Sequence, residues 1–367
     1  MPKEQNPSER DFDTYIFQSE PSKQERGKLW QTAIGLQQVD GLTPSKYLYE
    51  TAKRNIDGDI TIEEAKKLID SYYESKIGRE EINEDEKEAD QVSVRIREIL
   101  AENTFSFTPD LLLSIHKRLF TGVFYKVKAG SFRDYNITKK EWVLDSESVL
   151  YANCDMIKQT LDYDFAQEKA FDYSPLSMDE KVKHLARFIA NIWQIHPFGE
   201  GNTRTTAVFT IKYLNSLGFK VNNEPFEKNS WYFRNSLVRA NYTNMTKGIY
   251  MNTEYLEMFF RNLLLGESND LKNRYVHIRA QNLPVIEQKS KNTDRILPVN
   301  LPVNKTQRYL LELLIENPKL TYDELAEKMN KTRETVRTNL RTLEEKKLVK
   351  RIGADKNGHW EILVNAD

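Results

Sequence analysis

Nine consecutive residues hold the densest chemistry of the 367-residue chain: His196, Pro197, Phe198, Gly199, Glu200, Gly201, Asn202, Thr203 and Arg204. An imidazole titrates near neutral pH, so His196 is a candidate general base. The proline that follows pushes residue 196 away from helical geometry. Phe198 can anchor a loop in the core, while Gly199, Gly201 and Asn202 tolerate unusual backbone angles. From Thr203 onward an apolar face resumes with Val208, Phe209, Ile211 and Leu214. The order is therefore helix, glycine-containing loop, helix. Backbone N–H groups at such a loop and helix start converge on an anion, and Arg204 adds positive charge. Glu200 repels a phosphate unless a cation sits between them. Mg²⁺ resolves this, because it binds through one or two carboxylates plus substrate phosphates. Together these parts predict phosphoryl-type transfer from a Mg-nucleotide to a hydroxyl.

Several elements must position this loop. Val182, Leu185, Phe188, Ile189 and Ile192 share one face of the helix leading into it. Further upstream, Val92, Val94, Ile96, Ile99 and Leu100, then Leu111, Leu112, Ile115 and Leu119, mark amphipathic helices. Residues 130–150, rich in aromatic and β-branched side chains, predict a β-hairpin. Near the start, Pro44 and Ser45 open a helix that Gly58 ends, and Thr61 with Glu64 has the spacing of a capping box. Residues 79–90 hold seven acids and two bases, the composition of a solvated linker or helix end.

Composition narrows the class. The length corresponds to about two to three domains. The 54 basic and 55 acidic residues leave a net charge of −1, which argues against a polybasic protein. No apolar run approaches the roughly 20 residues of a membrane span. The first residues show no apolar signal region, and Cys154 is the single cysteine, so a cytoplasmic location without disulfides or cysteine-based zinc sites is expected.

The run HPFGEGNTR resembles the Fic family signature HPFx[D/E]GN[G]R, and the resemblance extends over roughly residues 92–265. Fic proteins typically transfer AMP from ATP to protein hydroxyls, with Mg²⁺ as cofactor. The resemblance implies that His196 deprotonates the target, Phe198 anchors the loop and Glu200 holds Mg²⁺. It implies that Gly199, Gly201, Asn202 and Thr203 help to bind ATP and that Arg204 binds phosphate. Two positions depart from the family: Thr203 replaces the usual glycine, and Ala207 stands where many members carry a second arginine.

The expected hairpin, preceded by the family-like GSFRDYNI, corresponds to the family's flap, which holds the target segment by strand addition. Ile137, Thr138 and Lys139 are its target-binding candidates. SWYFRNSLVRAN resembles the helix that lines the nucleoside pocket: Phe233 and Arg234 would flank adenine, and Asn241 would hydrogen-bond the base or ribose. Residues 31–60 resemble the helical antitoxin module associated with Fic domains. Its inhibitory [S/T]xxxE[G/N] motif matches LQQVDG here, with Leu36, Asp40 and Gly41 in the defining positions. The family's inhibitory glutamate pairs with the second arginine. With Asp40 one methylene shorter and Ala207 opposite it, Asp40 is expected to lack a strong partner and the segment to act mainly as structural cover.

The tail reads as three helices and a two-stranded hairpin around Asp355–Gly358, a winged helix-turn-helix. Thr321 and Glu324 have capping-box spacing, and residues 332–351 carry seven bases and three acids. Arg333, Arg337 and Arg341 share one helix face, and Lys350, Arg351 and Lys356 mark the wing, which suits DNA binding.

The chain is therefore expected to be mostly α, a helical Fic core with a β-hairpin flap plus a small C-terminal winged helix-turn-helix. Its expected parts are residues 1–90 (antitoxin-like), 91–267 (catalytic core), 268–303 (connecting segment) and 304–367 (winged helix). The expected function is protein adenylyltransferase. DNA-binding autoregulation and kinase-type phosphotransfer on the same fold are the alternatives. Candidate partners are a protein with an exposed hydroxyl, the chain itself as acceptor, DNA and a second copy in a homodimer, with no membrane.

Overall fold

The computed structural model describes residues 7–77, 82–219, 221, 223–282, 304–318, 320–329, 331–346, 348–352 and 359–363. The chain divides into two compact units, Met1–Leu283 and Pro284–Asp367. In the first, twelve helices follow one another among the described residues: α1 (Pro7–Gln18), α2 (Pro21–Gly35), α3 (Lys46–Asp57), α4 (Ile62–Lys76), α5 (Glu84–Ala101), α6 (Pro109–Phe120), α7 (Ile157–Ala170), α8 (Met178–Ile195), α9 (Asn202–Ser216), α10 (Glu224–Ala240), α11 (Glu254–Leu265) and α12 (Asn273–Val276).

Helix α9 is the hub. Every residue from Asn202 to Leu214 is buried, although many are polar. Its polar groups find partners inside the fold: the Thr205 hydroxyl donates to the Gly201 carbonyl at 2.9 Å, and Lys212 donates to the Ile99 and Glu102 carbonyls at 3.1 and 2.8 Å. Helix α8 starts on a Ser177–Glu180 capping box and buries Val182, Leu185, Phe188, Ile189 and Ile192, the face its periodicity predicts. Leu271, Val276 and Ile278 join the same core from beyond α11.

The N-terminal helices pack on this core. Ser45 caps α3, Gly58 ends it in the left-handed region, and Thr61 with Glu64 caps α4. The acid-rich stretch becomes the first turns of α5, capped by Asn83, where Glu84, Asp85 and Glu86 complement the helix dipole. Residues 79–81 lie outside the described residues. Phe12, Trp30, Tyr49, Ile56 and Tyr73 form an apolar cluster together with Val94 of α5. Gly35 allows α2 to cross α10 closely, since a Cβ there would sit 2.2 Å from the Glu227 carbonyl oxygen. The Ser230 hydroxyl donates to the Gly35 carbonyl at 2.6 Å and fixes that crossing. The 3-10 turn Leu36–Asp40 follows at once, so its course over α9 is set by the crossing.

Residues 130–150 depart from the expected hairpin: they form no β-ladder. Trp142–Leu144 winds into a 3-10 turn that sends Val143 and Leu144 into the core, followed by Asp145 and Ser146 at φ 55° and 69°. The chain still reverses, with the Glu141 N–H donating to the Glu147 carbonyl at 2.9 Å. Core burial of the tip, rather than cross-strand pairing, shapes this flap.

The second unit holds α13 (Lys305–Glu316), α14 (Tyr322–Met329), α15 (Arg333–Glu345), β1 (Val349–Ile352) and β2 (His359–Ile362). The strands pair antiparallel, Val349 opposite Ile362. Leu310, Leu314, Leu325, Val336, Leu340, Val349 and Trp360 make its core, and the Thr321–Glu324 cap forms as its spacing predicts. Lys356 and the turn around it, with most of the expected connecting segment (residues 283–303), lie outside the described residues.

Asp90 of α5 joins the N-terminal helices to the core. It accepts from the Ser45 N–H and hydroxyl at 2.9 and 2.5 Å and from the Tyr73 hydroxyl at 2.7 Å. Burial lifts its carboxyl from 3.8 to about 6, with the hydrogen bonds from Ser45 and Tyr73 opposing. A pKa raised in the folded state stabilises the fold at low pH, and that contribution is lost as pH rises through about 6. Wild type should therefore gain on Asp90→Asn by on the order of 1 kcal/mol between about pH 7.5 and about pH 5. Thermal unfolding of both proteins at the two pH values checks this, and a pH-independent difference refutes it.

Candidate active site

The loop between α8 and α9 begins where α8 ends. His196 caps α8 in the left-handed region at φ 51° and ψ 59°, a conformation uncommon for a residue with a side chain. Its ring is buried, and both ring nitrogens lack a hydrogen-bond partner among the described residues. The ring packs on Tyr151 at 4.3 Å and meets Trp193 edge-on at 5.3 Å. Burial, with the cations Lys139, Arg234 and Arg133, holds its pKa well below the ordinary 6.5. His196 is thus a neutral imidazole with a free lone pair.

Three residues fix the loop. Asn202 closes it on itself: its Oδ1 accepts from the Phe198 N–H at 2.9 Å and its Nδ2 donates to the Phe198 carbonyl at 2.7 Å. His116 of α6 stacks on Phe198 at 3.8 Å. Its Nδ1 accepts from the Gly130 N–H at 2.8 Å, which leaves Nε2–H to donate to the Glu200 carbonyl at 3.0 Å. Burial keeps His116 neutral, with a pKa lowered to about 4. Arg133 donates to the carbonyls of His196 at 2.8 Å, Ile195 at 3.3 Å, Tyr135 at 2.6 Å and also Ala152. Sequence reasoning missed His116 and Arg133 as loop supports. The one signal for Arg133 was its place in GSFRDYNI.

Gly201 starts α9 at φ 75°, and a Cβ there would sit 2.4 Å from the Phe120 ring. Gly199 is buried beside Tyr135 and Val127. The first N–H groups of α9, at Asn202, Thr203 and Arg204, precede the first intrahelical donor, the Thr205 N–H, and lie at the end of the helix dipole that favours anions. Thr203 satisfies its extra hydroxyl by accepting from the Trp193 indole N–H at 3.0 Å. That contact accommodates its departure from the usual glycine. Asn202 spends its side chain on the loop, so only its backbone can serve a phosphate.

Glu200 is the loop's carboxylate, with its side chain half exposed, and it pairs with Lys139 Nζ at 2.9 Å. No group of three His, Cys, Asp or Glu side chains gathers into a metal cage among the described residues. A single exposed carboxylate suits Mg²⁺ only when phosphates and water complete the shell. The donor set therefore fits a metal that arrives with a nucleotide.

Arg204 is 2% exposed and its guanidinium lies 4.9 Å from the Phe120 ring centre. Its Nε is 2.8 Å from Asp40 Oδ2, its NH1 donates to Gln37 Oε1 at 3.0 Å and its NH2 to Glu88 Oε1 at 2.5 Å. This corrects the expectation that Asp40 lacks a strong partner. Position 207 is a core alanine and offers no cation. The Gly35 crossing instead carries the Leu36–Asp40 turn to the start of α9, where Arg204 stands. Leu36 is buried in the core, and Gly41 ends the turn in the left-handed region. Gln37 and Glu88 carried no sequence signal, because their partner is distant along the chain.

The three nucleoside candidates, Phe233, Arg234 and Asn241, each have partners within the fold. Phe233 is fully buried against Phe226 and Phe259, each at 5.0 Å. Arg234 is bidentate to the buried Glu141 at 2.6 and 3.1 Å, beside Trp231. Asn241 donates to the Ala190 and Leu237 carbonyls at 3.0 Å each, which ties α10 to α8. On the flap, Ile137 packs partly against the core, Thr138 is exposed and Lys139 reaches Glu200.

Residues 106–214 match the Fic/DOC family, and residues 303–350 match a winged helix-turn-helix DNA-binding family. No curated protein matches the chain. Among solved structures, a Fic family protein from Desulfovibrio desulfuricans is 13% identical with a TM-score of 0.43, covering 99% of this chain and 98% of that one. The N-terminal Fic domain of Bep8, a VirB-translocated effector from Bartonella sp. 1-1C, is 19% identical with a TM-score of 0.37, covering 51% and 88%. A Fic-domain signalling protein from Bacteroides thetaiotaomicron is 14% identical with a TM-score of 0.38, covering 72% and 98%. By the two family matches, over residues 106–214 and 303–350, the chain carries a Fic/DOC-family domain, of a family that generally performs AMP transfer or related transfers, and a C-terminal winged helix-turn-helix.

Proposed function

We propose that the protein is an adenylyltransferase that moves AMP from ATP to a Tyr, Thr or Ser hydroxyl of a protein, itself included. The observation that carries this reading is the neutral imidazole of His196, neither ring nitrogen hydrogen-bonded, buried at the head of the loop that leads into the N-terminus of α9 and its buried Arg204. His196 takes the hydroxyl proton. The oxygen forms a bond to the α-phosphorus, the bond from that phosphorus to the bridging oxygen breaks, and pyrophosphate leaves. The N–H groups that start α9 and the Arg204 guanidinium balance the phosphate charge. Glu200 would hold Mg²⁺, which when bound neutralises phosphate charge. The flap between Ile137 and Lys140 leaves main-chain groups outside any ladder, which supports docking of an extended target segment.

The contacts of Arg204 support a brake. A phosphate must displace Asp40, Gln37 and Glu88 to reach that guanidinium, so the N-terminal segment and α5 hold the enzyme in a restrained state. Because Glu88 and Gln37 remain when Asp40 is lost, Asp40→Gly should raise auto-AMP transfer by less than about tenfold. Asp40→Gly with Glu88→Gln should raise it further. Equal rates for the single and double variants would remove Glu88 from the brake.

The second unit supports a further reading, DNA binding. Arg333, Arg337 and Arg341 are exposed on α15, opposite the buried Val336, Leu340 and Leu343. Arg333 and Arg341 pair only loosely, with Asp323 at 3.4 Å and Glu345 at 3.3 Å, and those exposed pairs exchange readily for phosphate. Removing residues 304–367 should abolish salt-sensitive binding to duplex DNA, read by fluorescence anisotropy, and spare label transfer. Retained DNA binding by residues 1–303 would refute the assignment.

The transfer reading is tested with ATP labelled at the α- or the γ-phosphate. Protein-bound label should come from the α-position alone, and label from the γ-position alone would establish kinase-type chemistry. His196→Ala should lower the rate by about 10²–10⁴-fold while Mg·ATP binding, read by calorimetry, stays near wild type. Since burial holds His196 below 6.5, the acid limb of the kcat profile should fall below that value. A limb above it would mean that the base is another group.

A further inference from the structure

Lys139 and Glu200 come from opposite walls of the site, the flap and the catalytic loop, and meet at 2.9 Å. Their meeting follows from how the flap is held. The Lys139 N–H donates to Ser148 Oγ at 3.2 Å. Two residues on, Glu141 is fully buried, gripped by Arg234 and by the Tyr151 hydroxyl at 3.2 Å. The flap backbone at 139 is thereby anchored, while both charged side-chain ends remain partly exposed. The ammonium is at a fixed address and can still exchange. It sits on the acid that otherwise repels nucleotide phosphates.

We propose that Lys139 and a nucleotide-borne divalent cation compete for the Glu200 carboxylate, with the lysine as resident counter-charge until the metal displaces it. This rests on the reading of Glu200 as the metal-holding acid. In the metal-free state the pair lets a nucleotide approach without facing a bare carboxylate. In the metal-bound state the freed ammonium stays on the flap beside the phosphates. Lys139 therefore sets how strongly nucleotide binding depends on metal.

The measured quantity is the ratio of the ADP dissociation constant in chelator to that in Mg²⁺, obtained by calorimetry on the full chain. ADP is the probe because it binds without transfer. Lys139→Met should enlarge the ratio by two- to fivefold over wild type, the range an exposed ion pair supports. Metal-free ADP should weaken, and Mg·ADP should hold or tighten. Lys139→Arg keeps the charge and should stay near wild type. Glu200→Gln should bring the ratio towards one, and Lys139→Met should add nothing in that background. An unchanged or smaller ratio in Lys139→Met, with Glu200→Gln still lowering it, overturns the competition and leaves the metal reading standing. A ratio unmoved by Glu200→Gln overturns the metal reading and this proposal together. Lys139→Gln repeats the test should the methionine variant unfold in a thermal melt.

Discussion

A guanidinium taken out of water must be given negative charge and hydrogen-bond acceptors, or it destabilises the fold by several kcal/mol. Arg204 meets this requirement at the first turn of the central helix, with Asp40, Gln37 and Glu88 around it. Those three come from two elements, the 3-10 turn after α2 and the helix α5. Their convergence depends on the close crossing of α2 over α10 at Gly35 and on the seating of the N-terminal helices by Asp90. The same guanidinium is the charge a phosphate would seek. One buried cation thus links the packing of the N-terminal helices to the start of α9 and the loop before it.

Around that cation the loop is organised before any substrate arrives. Asn202 bonds both ends of a short backbone span, His116 presents one tautomer to the Glu200 carbonyl, and Arg133 collects carbonyls from the loop and from the segment before α7. These partners hold His196 in its left-handed conformation, where strain is tolerated only when surroundings over-determine it. A base fixed in this way would not reorganise during the proposed reaction, which is the condition for electrostatic stabilisation to be effective.

The flap and the second unit show two kinds of partial order. The flap tip is rooted in the core through Val143, Leu144 and the buried Glu141–Arg234 pair, while Thr138 stays exposed. Such a segment has a rigid base and a backbone available to a partner. The winged unit has its own core around Leu340 and Trp360, and its basic residues face outward because α15 turns its apolar stripe inward. Each unit therefore satisfies its own burial requirement.

Local chemistry made much of the protein legible in sequence. The caps at Ser45, Thr61 and Thr321, and the apolar face of α8, depend on residues a few positions apart, so near neighbours determine them. The loop motif was legible for the same reason: nine adjacent residues define a helix end, a turn and a helix start. Distance along the chain hid the rest. The partners of Arg204 lie 167 and 116 residues away at Gln37 and Glu88, and no local pattern links them. Aromatic and β-branched residues suggested a hairpin at 130–150, but core burial of Val143 and Leu144 outweighed strand propensity. Phe233 and Asn241 belong to a helix motif whose sequence fits a nucleoside pocket. The packing of Phe233 against Phe259, and the tie from Asn241 to α8, join residues distant along the chain that no local pattern links. Propensity acts between neighbours, whereas burial and charge neutralisation act across the fold, so only the tertiary structure could choose among these outcomes.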